Sequence, residues 1–320
     1  MGARSWPELP WTEWQPTVET VHRWLQIVGK VRLALMPPWN HWWQITLALT
    51  ARGLTTGPMP YAARALQVDL DFLDHQLLAT DSDGRVWAMA LAPRSVADFY
   101  RELADGLRTI GIEVSTWPVP VEVEDATPFP ADERHATYDP GHAEALWRGL
   151  LQADRVLKAH QTGFVGKASP VGLFWGSFDL ATSRYSGRPA PRHPGGIANC
   201  PTWVMEEAYS REEAAAGWWP ASEPPGPAFY AYTYPEPSGY RAAAVLPSAA
   251  TYDPSLGEFI LPYDAVRASP DPDATALAFF RSTYEAGADL GGWDRSALEP
   301  VEIPDRPPRR PWSLAPDVPP

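Results

Sequence analysis

Cysteine is almost missing from this chain: Cys200 is the only one in 320 residues. That excludes an intramolecular disulfide and fits a reducing compartment. Basic residues are short against acidic ones, 26 Lys and Arg to 39 Asp and Glu, which leaves a formal net charge of −13. So acidic a chain repels phosphate backbones and anionic lipid headgroups, so nucleic acid and membrane surfaces are poor partners. No apolar run approaches the roughly 18 to 20 residues of a membrane span. No export signal is expected either, because Trp6, Glu8, Trp11 and Glu13 stand where its apolar centre would fall. The expected location is cytoplasmic.

Tryptophan, by contrast, is plentiful. With 16 of them, indole rings are expected in the core or along a ligand wall, because each buries a large area and carries an N–H that needs a partner.

The chain reads as two copies of one unit. Each opens with an amphipathic helix that ends in Val-Gly-Lys, at Val28-Gly29-Lys30 and at Val165-Gly166-Lys167. Both glycines are read as helix C-caps. Each copy then enters an aromatic strand, Asn40-His41-Trp42-Trp43 and Gly172-Leu173-Phe174-Trp175, and leaves through Thr50-Ala51-Arg52 or Thr182-Ser183-Arg184. The predicted organisation is an extended arm over 1–16, a first repeat over 17–125, and a linker over 126–140. A second repeat covers 141–299, and a disordered Pro/Arg-rich tail covers 300–320.

Within the first copy, Val18, Val21, Leu25 and Val28 form a helical stripe, with His22 on the same face. Alternation predicts strands from Trp43 to Arg52 and from Leu66 to Leu73. Asp81-Ser82-Asp83-Gly84 reads as a hairpin turn, and Ser95 with Asp98 as the capped start of a helix. In the second copy, Leu146, Leu150, Ala153 and Leu157 mark a helix. Strands are expected at 174–184, 227–234, 240–245 and 258–261, and a last helix at about 273–290. The fold class is α+β: two pseudo-symmetric halves, each with helices and an antiparallel sheet, packed together.

Residues able to carry chemistry are few. Asp71 and His75 lie four apart, as do Glu207 and Arg211, and on an extended strand such pairs share a face. A carboxylate orienting a histidine suits acid–base work, while a salt-bridged pair on a solvated face has the same spacing. His41, at a strand mouth, either lines a cleft or bonds a backbone carbonyl. His41, His75 and Asp71 have the donor types of a two-histidine, one-carboxylate metal site, but no ligand spacing supports one, and no metal is assigned. Ser177 and Ser186 lack a nucleophile elbow. Arg52 and Arg184, at matching strand exits, suit either a forked bond to a ligand carboxylate or phosphate or a hold on loop carbonyls. Cys200 lies in a loop with no base visible beside it.

These strings resemble a bacterial domain-of-unknown-function family, DUF5996. The likeness is carried by Trp6-Pro7-Glu8-Leu9-Pro10, Gln26-Ile27-Val28-Gly29-Lys30, Asn40-His41-Trp42-Trp43, Arg52-Gly53-Leu54-Thr55-Thr56, Phe174-Trp175-Gly176-Ser177-Phe178-Asp179-Leu180 and Trp293-Asp294-Arg295. The resemblance implies no particular reaction. It does show Gly172 and Arg211 at positions where the family pattern resembles a histidine.

The expectation is an aromatic-lined cleft between the repeats that binds or transforms a small molecule. Trp42, Trp43, Phe174, Trp175, Trp218 and Trp219 are its candidate walls, with Arg52 and Arg184 as further ligand contacts. His41, His75, Asp71 and Glu207 are the candidate catalytic groups. The alternatives are a sugar-like binding module without chemistry and a protein-interaction scaffold. No cofactor and no oligomeric state is legible.

Overall fold

A computed structural model describes residues 6–220 and 226–299. The expected tail over 300–320 lies outside the described residues. Helix α1 (Trp11–Leu35) is buried along most of its length and forms the axis on which both halves pack. It starts ahead of Pro16, so among the described residues the extended lead-in is 6–10. A proline in the second turn removes one backbone bond. Burial of Trp14, whose indole donates to the His142 carbonyl at 3.0 Å, holds that turn in place.

The first half continues through β1 (Ala48–Leu49), β2 (Gly53–Thr55), β3 (Met59–Tyr61), β4 (Arg64–Asp71), β5 (Gln76–Asp81) and β6 (Val86–Ala90). These form an antiparallel sheet in the order β1-β2-β4-β5-β6, with β3 also on β4. The apolar alternation of Leu66, Val68 and Leu70 puts those side chains in the core. The 81–84 turn closes β5 onto β6 with Gly84 at φ 83°. Helix α2 (Val96–Thr109) follows, and Ser95 accepts from the Asp98 N–H, the cap its spacing predicts.

The second half holds α3 (Pro140–Gln161), β7 (Gly172–Phe174), β8 (Asp179–Pro189), α4 (Thr202–Ala208), β9 (Arg211–Trp219) and β10 (Ala228–Tyr234). It ends with β11 (Thr251–Asp253), β12 (Glu258–Pro262), α5 (Tyr263–Arg267), α6 (Pro272–Leu290) and α7 (Arg295–Leu298). Its antiparallel sheet runs β11-β12-β10-β9-β8-β7. The architecture is therefore α+β with a sheet in each half, as the patterning predicts. A pair of backbone bonds, Leu47 N to Leu173 O at 3.0 Å and Leu173 N to Leu47 O at 2.9 Å, joins the two sheets. No helix is long and apolar enough to cross a membrane, among the described residues.

Five local readings are corrected. Gly29 is no helix end, since α1 runs six residues beyond Gly29 to Leu35 and the glycine lies beneath the indole of Trp175. Gly166 is not one either, because α3 stops at Gln161. Asn40–Ile45 is a 3₁₀ turn with His41 and Trp42 in left-handed conformation, not a strand. Trp175–Phe178 is the turn joining β7 to β8, so a single strand over 174–184 does not form. Of the later strands, the one expected at 240–245 is a short 3₁₀ turn, Tyr240–Ala242.

Candidate functional site

Strand neighbours i and i+2 share a face of a sheet, and on the second sheet the two faces differ in kind. One carries Leu180, Trp218, Phe229 and Leu261, all buried in the core and covered by α3 and α6. On the other face, register sets Ala181 beside Gly217 and Tyr230, then Ser183 beside Ala215 and Tyr232, then Tyr185 beside Glu213 and Tyr234. Small residues on β8 and β9 thus leave a trough beside a row of tyrosines. Gly217 is required here: a Cβ would overlap the ring of Tyr230, which lies across β9. The rings of Tyr230 and Tyr232 are parallel within 9°, with centroids 6.1 Å apart. Beneath the cover of the trough is a cavity of about 140 Å³.

The cover is the 40–45 turn and α4. His41 (φ 57°) and Trp42 (φ 60°) are left-handed, a conformation that costs a bulky residue of order 1–3 kcal/mol and persists only where surrounding bonds hold it. Those bonds are present. His41 Nδ1 donates to the Ala208 carbonyl at 2.7 Å, and Trp42 Nε1 donates to the Val204 carbonyl at 3.0 Å. That fixes the imidazole tautomer, and Nε2 accepts from Lys167 Nζ at 2.9 Å. The Lys167 ammonium also sits over the rings of Trp43 (5.2 Å) and Tyr185 (5.0 Å). Burial, helped by the Lys167 charge, holds the His41 pKa below its ordinary value. Burial likewise lowers that of Lys167.

Three carboxyl groups line the cavity: Glu122, Asp179 and Glu213. Asp179 accepts from Ser177 Oγ and from the Tyr230 hydroxyl. Glu213 accepts from the Tyr232 hydroxyl at 3.4 Å, and that hydroxyl is 2.8 Å from the hydroxyl of Tyr209. The Glu122 carboxyl stands over the α-carbon of Gly176, where any Cβ would meet it. Burial pushes the Glu213 carboxyl up to about 8 and that of Glu122 to about 7, and it raises that of Asp179. The phenols of Tyr209, Tyr230 and Tyr232 are raised well above their ordinary value by the same cause. The walls are therefore aromatic, hydroxyl-rich and acidic.

Of the residues that sequence singled out, the structure gathers His41, Trp42, Trp43 and Phe174 around this cavity. Glu207 sits just behind the cover, its carboxylate accepting from the His41 backbone N–H at 3.4 Å. It belongs to α4, so its pairing with Arg211 along one strand does not exist. Asp71 ends β4, and His75 lies in the turn that leads to β5. There the Asp71 carboxylate takes the Leu73 and Asp74 N–H groups and Arg52 Nε, while His75 Nδ1 meets the Tyr138 hydroxyl at 2.8 Å. Asp71 therefore does not orient His75, and Arg52 braces a turn. Arg184 is on the opposite face of the second sheet, donating to the His160 carbonyl with its guanidinium 4.3 Å from the ring of Tyr284. Trp175 and Trp218 are core residues, and Trp219 stacks on Tyr230 at 4.3 Å beyond the cavity wall. His41, His75 and Asp71 form no joint ligand set, and no group of three or more His, Cys, Asp or Glu is placed to hold a metal among the described residues.

Sequence reasoning missed Asp179, Glu213 and the tyrosines. The signal was present in Glu213-Ala214-Ala215-Ala216-Gly217-Trp218-Trp219, a small-residue run ending in indoles, but alanine and glycine are poor strand formers, and β9 was not expected. Arg211 is exposed, and a Cβ on Gly172 would press on the Thr46 side chain.

A family of unknown function, DUF5996, matches the chain over residues 6–300, and the chain belongs to that family. No curated protein and no solved structure matches it.

Proposed function

We propose that this member of the DUF5996 family holds a small molecule in the cavity between the open face of the second sheet and the cover formed by the 40–45 turn and α4. One observation carries the reading. Ala181, Ser183 and Ala215 keep the floor clear while aromatic and titratable groups converge around it, the combination expected of a ligand pocket. A strained turn held over that floor by specific hydrogen bonds supports the same reading.

Binding is favoured over acid–base chemistry by the histidines. Both ring nitrogens of His41 are engaged, and His75 is tied to Tyr138 with no carboxylate on its ring. The wall chemistry accommodates a ligand with polar ends and an apolar middle. A cytoplasmic setting agrees with Cys200, a thiol that burial pushes up to about 11 and so keeps unreactive. An origin by duplication is supported by the parallel order of elements, helix, antiparallel sheet and closing helix, in each half.

The test is a thermal-shift and native mass-spectrometry screen of small metabolites against wild type and Ala215→Leu, which fills the floor. At least one compound should raise the melting temperature of the wild type and fail with the filled variant. A compound that stabilises both equally, or a broad screen in which nothing binds, would end the proposal.

A further inference from the structure

We infer that the cavity takes a short linear aliphatic diamine, bound as a dication between Asp179 and Glu213; this rests on the cavity being a ligand site.

The argument starts from how this protein treats its other buried acids. Six carboxylate residues are less than a tenth exposed among the described residues: Asp71, Asp81, Asp132, Asp154, Asp179 and Glu213. Four have a basic partner: Arg52 for Asp71, Arg64 and Arg85 for Asp81, His135 for Asp132, and Lys158 for Asp154. The two that face the cavity have none, receiving only hydroxyl donors. Lys167, the nearest cation to Glu213, is committed to His41 Nε2 and to the rings of Trp43 and Tyr185. A buried carboxylate without a countercharge is costly, so a proton neutralises it in the free protein, and a cation entering the cavity can take that proton's place.

Number, spacing and wall chemistry narrow the class. Asp179 is reached by the Tyr230 hydroxyl and Glu213 by that of Tyr232, and these parallel rings have centroids 6.1 Å apart. Asp179 opens β8 and Glu213 lies beside Tyr185, six residues further along that strand, so two acceptors set apart on one face call for two ammonium groups on one chain. Between them the floor is Ala181, Ser183 and Ala215, which offers small side chains to methylenes. The indoles of Trp42 and Trp43 add ring faces that favour cations. A volume of about 140 Å³ equals roughly four or five waters, which suits a chain of a few methylenes and excludes a nucleotide or disaccharide.

The experiment uses the full chain and isothermal titration with linear diaminobutane, butylamine, linear butanediol and succinate. Diaminobutane should bind at least about tenfold more tightly than butylamine, and butanediol and succinate should not bind measurably. Glu213→Gln and Asp179→Asn should each weaken diaminobutane about tenfold or more, near 1.4 kcal/mol per decade. The exposed Glu133→Gln should change nothing. Circular dichroism checks that each variant is folded, and Glu213→Gln alone decides if Asp179→Asn is not. Equal diaminobutane binding by wild type and both cavity variants would mean attraction to the acidic surface and would overturn the inference. Protection by butanediol or succinate in place of the diamine would overturn it too, while leaving the cavity as a ligand site. If no probe binds and Ala215→Leu alters no ligand response in the wider screen, the underlying reading falls as well.

Discussion

Gly29 and Trp175 share one space: the indole of Trp175, anchored by its Nε1 to the Ile45 carbonyl at 2.9 Å, lies where a Cβ on Gly29 would stand. This is why a glycine survives in the buried middle of α1, where it costs up to about 1 kcal/mol relative to alanine. It also couples the helix of the first half to the β7–β8 turn of the second.

Gly29→Ala is therefore expected to destabilise. The gain in helix propensity is about 1 kcal/mol, and overpacking a rigid ring against a helix backbone costs roughly 1–3 kcal/mol. The net loss should be up to about 2 kcal/mol in urea unfolding. Adding Trp175→Leu to Gly29→Ala should cost less than the sum of the two single changes, because the added methyl then has room. A more stable Gly29→Ala would contradict the packing.

Arg52 and Asp71 separate a ligand role from a structural one. Arg52 is half-exposed and bridges Asp71 and Asp74, so Arg52→Ala should change stability little and leave diaminobutane binding unchanged. Asp71→Ala strands the Leu73 and Asp74 N–H groups and should cost about 1–3 kcal/mol. A large loss of ligand affinity in Arg52→Ala with an intact fold would return Arg52 to the site.

The cavity acids fix a pH dependence. Burial raises Glu213 from 4.5 to about 8, so the folded protein holds a proton there that the unfolded chain releases. That contribution is complete below about 4.5, shrinks as pH rises and is gone above about 8. Glu122, raised to about 7, acts in the same direction. Asp71 and Asp81, whose pKa values are lowered, act oppositely and lose their contribution in acid. The melting temperature of the free protein should thus fall from about pH 6 to about pH 8, and Glu213→Gln should flatten that decline. Diaminobutane should bind more tightly as pH rises over the same window. A Glu213→Gln profile parallel to wild type would show that Glu213 is not buried protonated.

Much of the scaffold was legible because its causes are local. Leu66, Val68 and Leu70 alternate, Ser95 lies three residues before Asp98, and the 81–84 turn has its glycine where a positive φ is needed. The cavity was not, because its causes are distant. His41 and Trp42 have ordinary strand neighbours, and only bonds from Ala208 and Val204 hold them left-handed. Gly29 has the local look of a cap, and only Trp175, far along the chain, shows why the helix continues. Asp179 and Glu213 come to line one cavity only through the register of β8, β9 and β10, which no single strand encodes. The tryptophans misled for a related reason: composition says that indoles are buried but not on which face, and Trp218 and Trp219 point to opposite sides of the sheet.

The contact between Lys167 and His41 yields the last prediction. The His41 pKa is depressed first by burial and then by the Lys167 charge. Replacing Lys167 with methionine keeps most of the aliphatic stem over Trp43 and Tyr185 while removing the ammonium. The His41 ring should then titrate at higher pH than in wild type but still below its ordinary value, because the larger cause remains. Ring-proton NMR across the acid range reads this directly. The hydrogen bond from Nδ1 to Ala208 should persist, so the cover should stay in place and Lys167→Met should remain folded. If the His41 titration does not move, Lys167 does not donate to Nε2. That nitrogen would then be free to act on a ligand, and the preference for binding over acid–base chemistry would lose its main support.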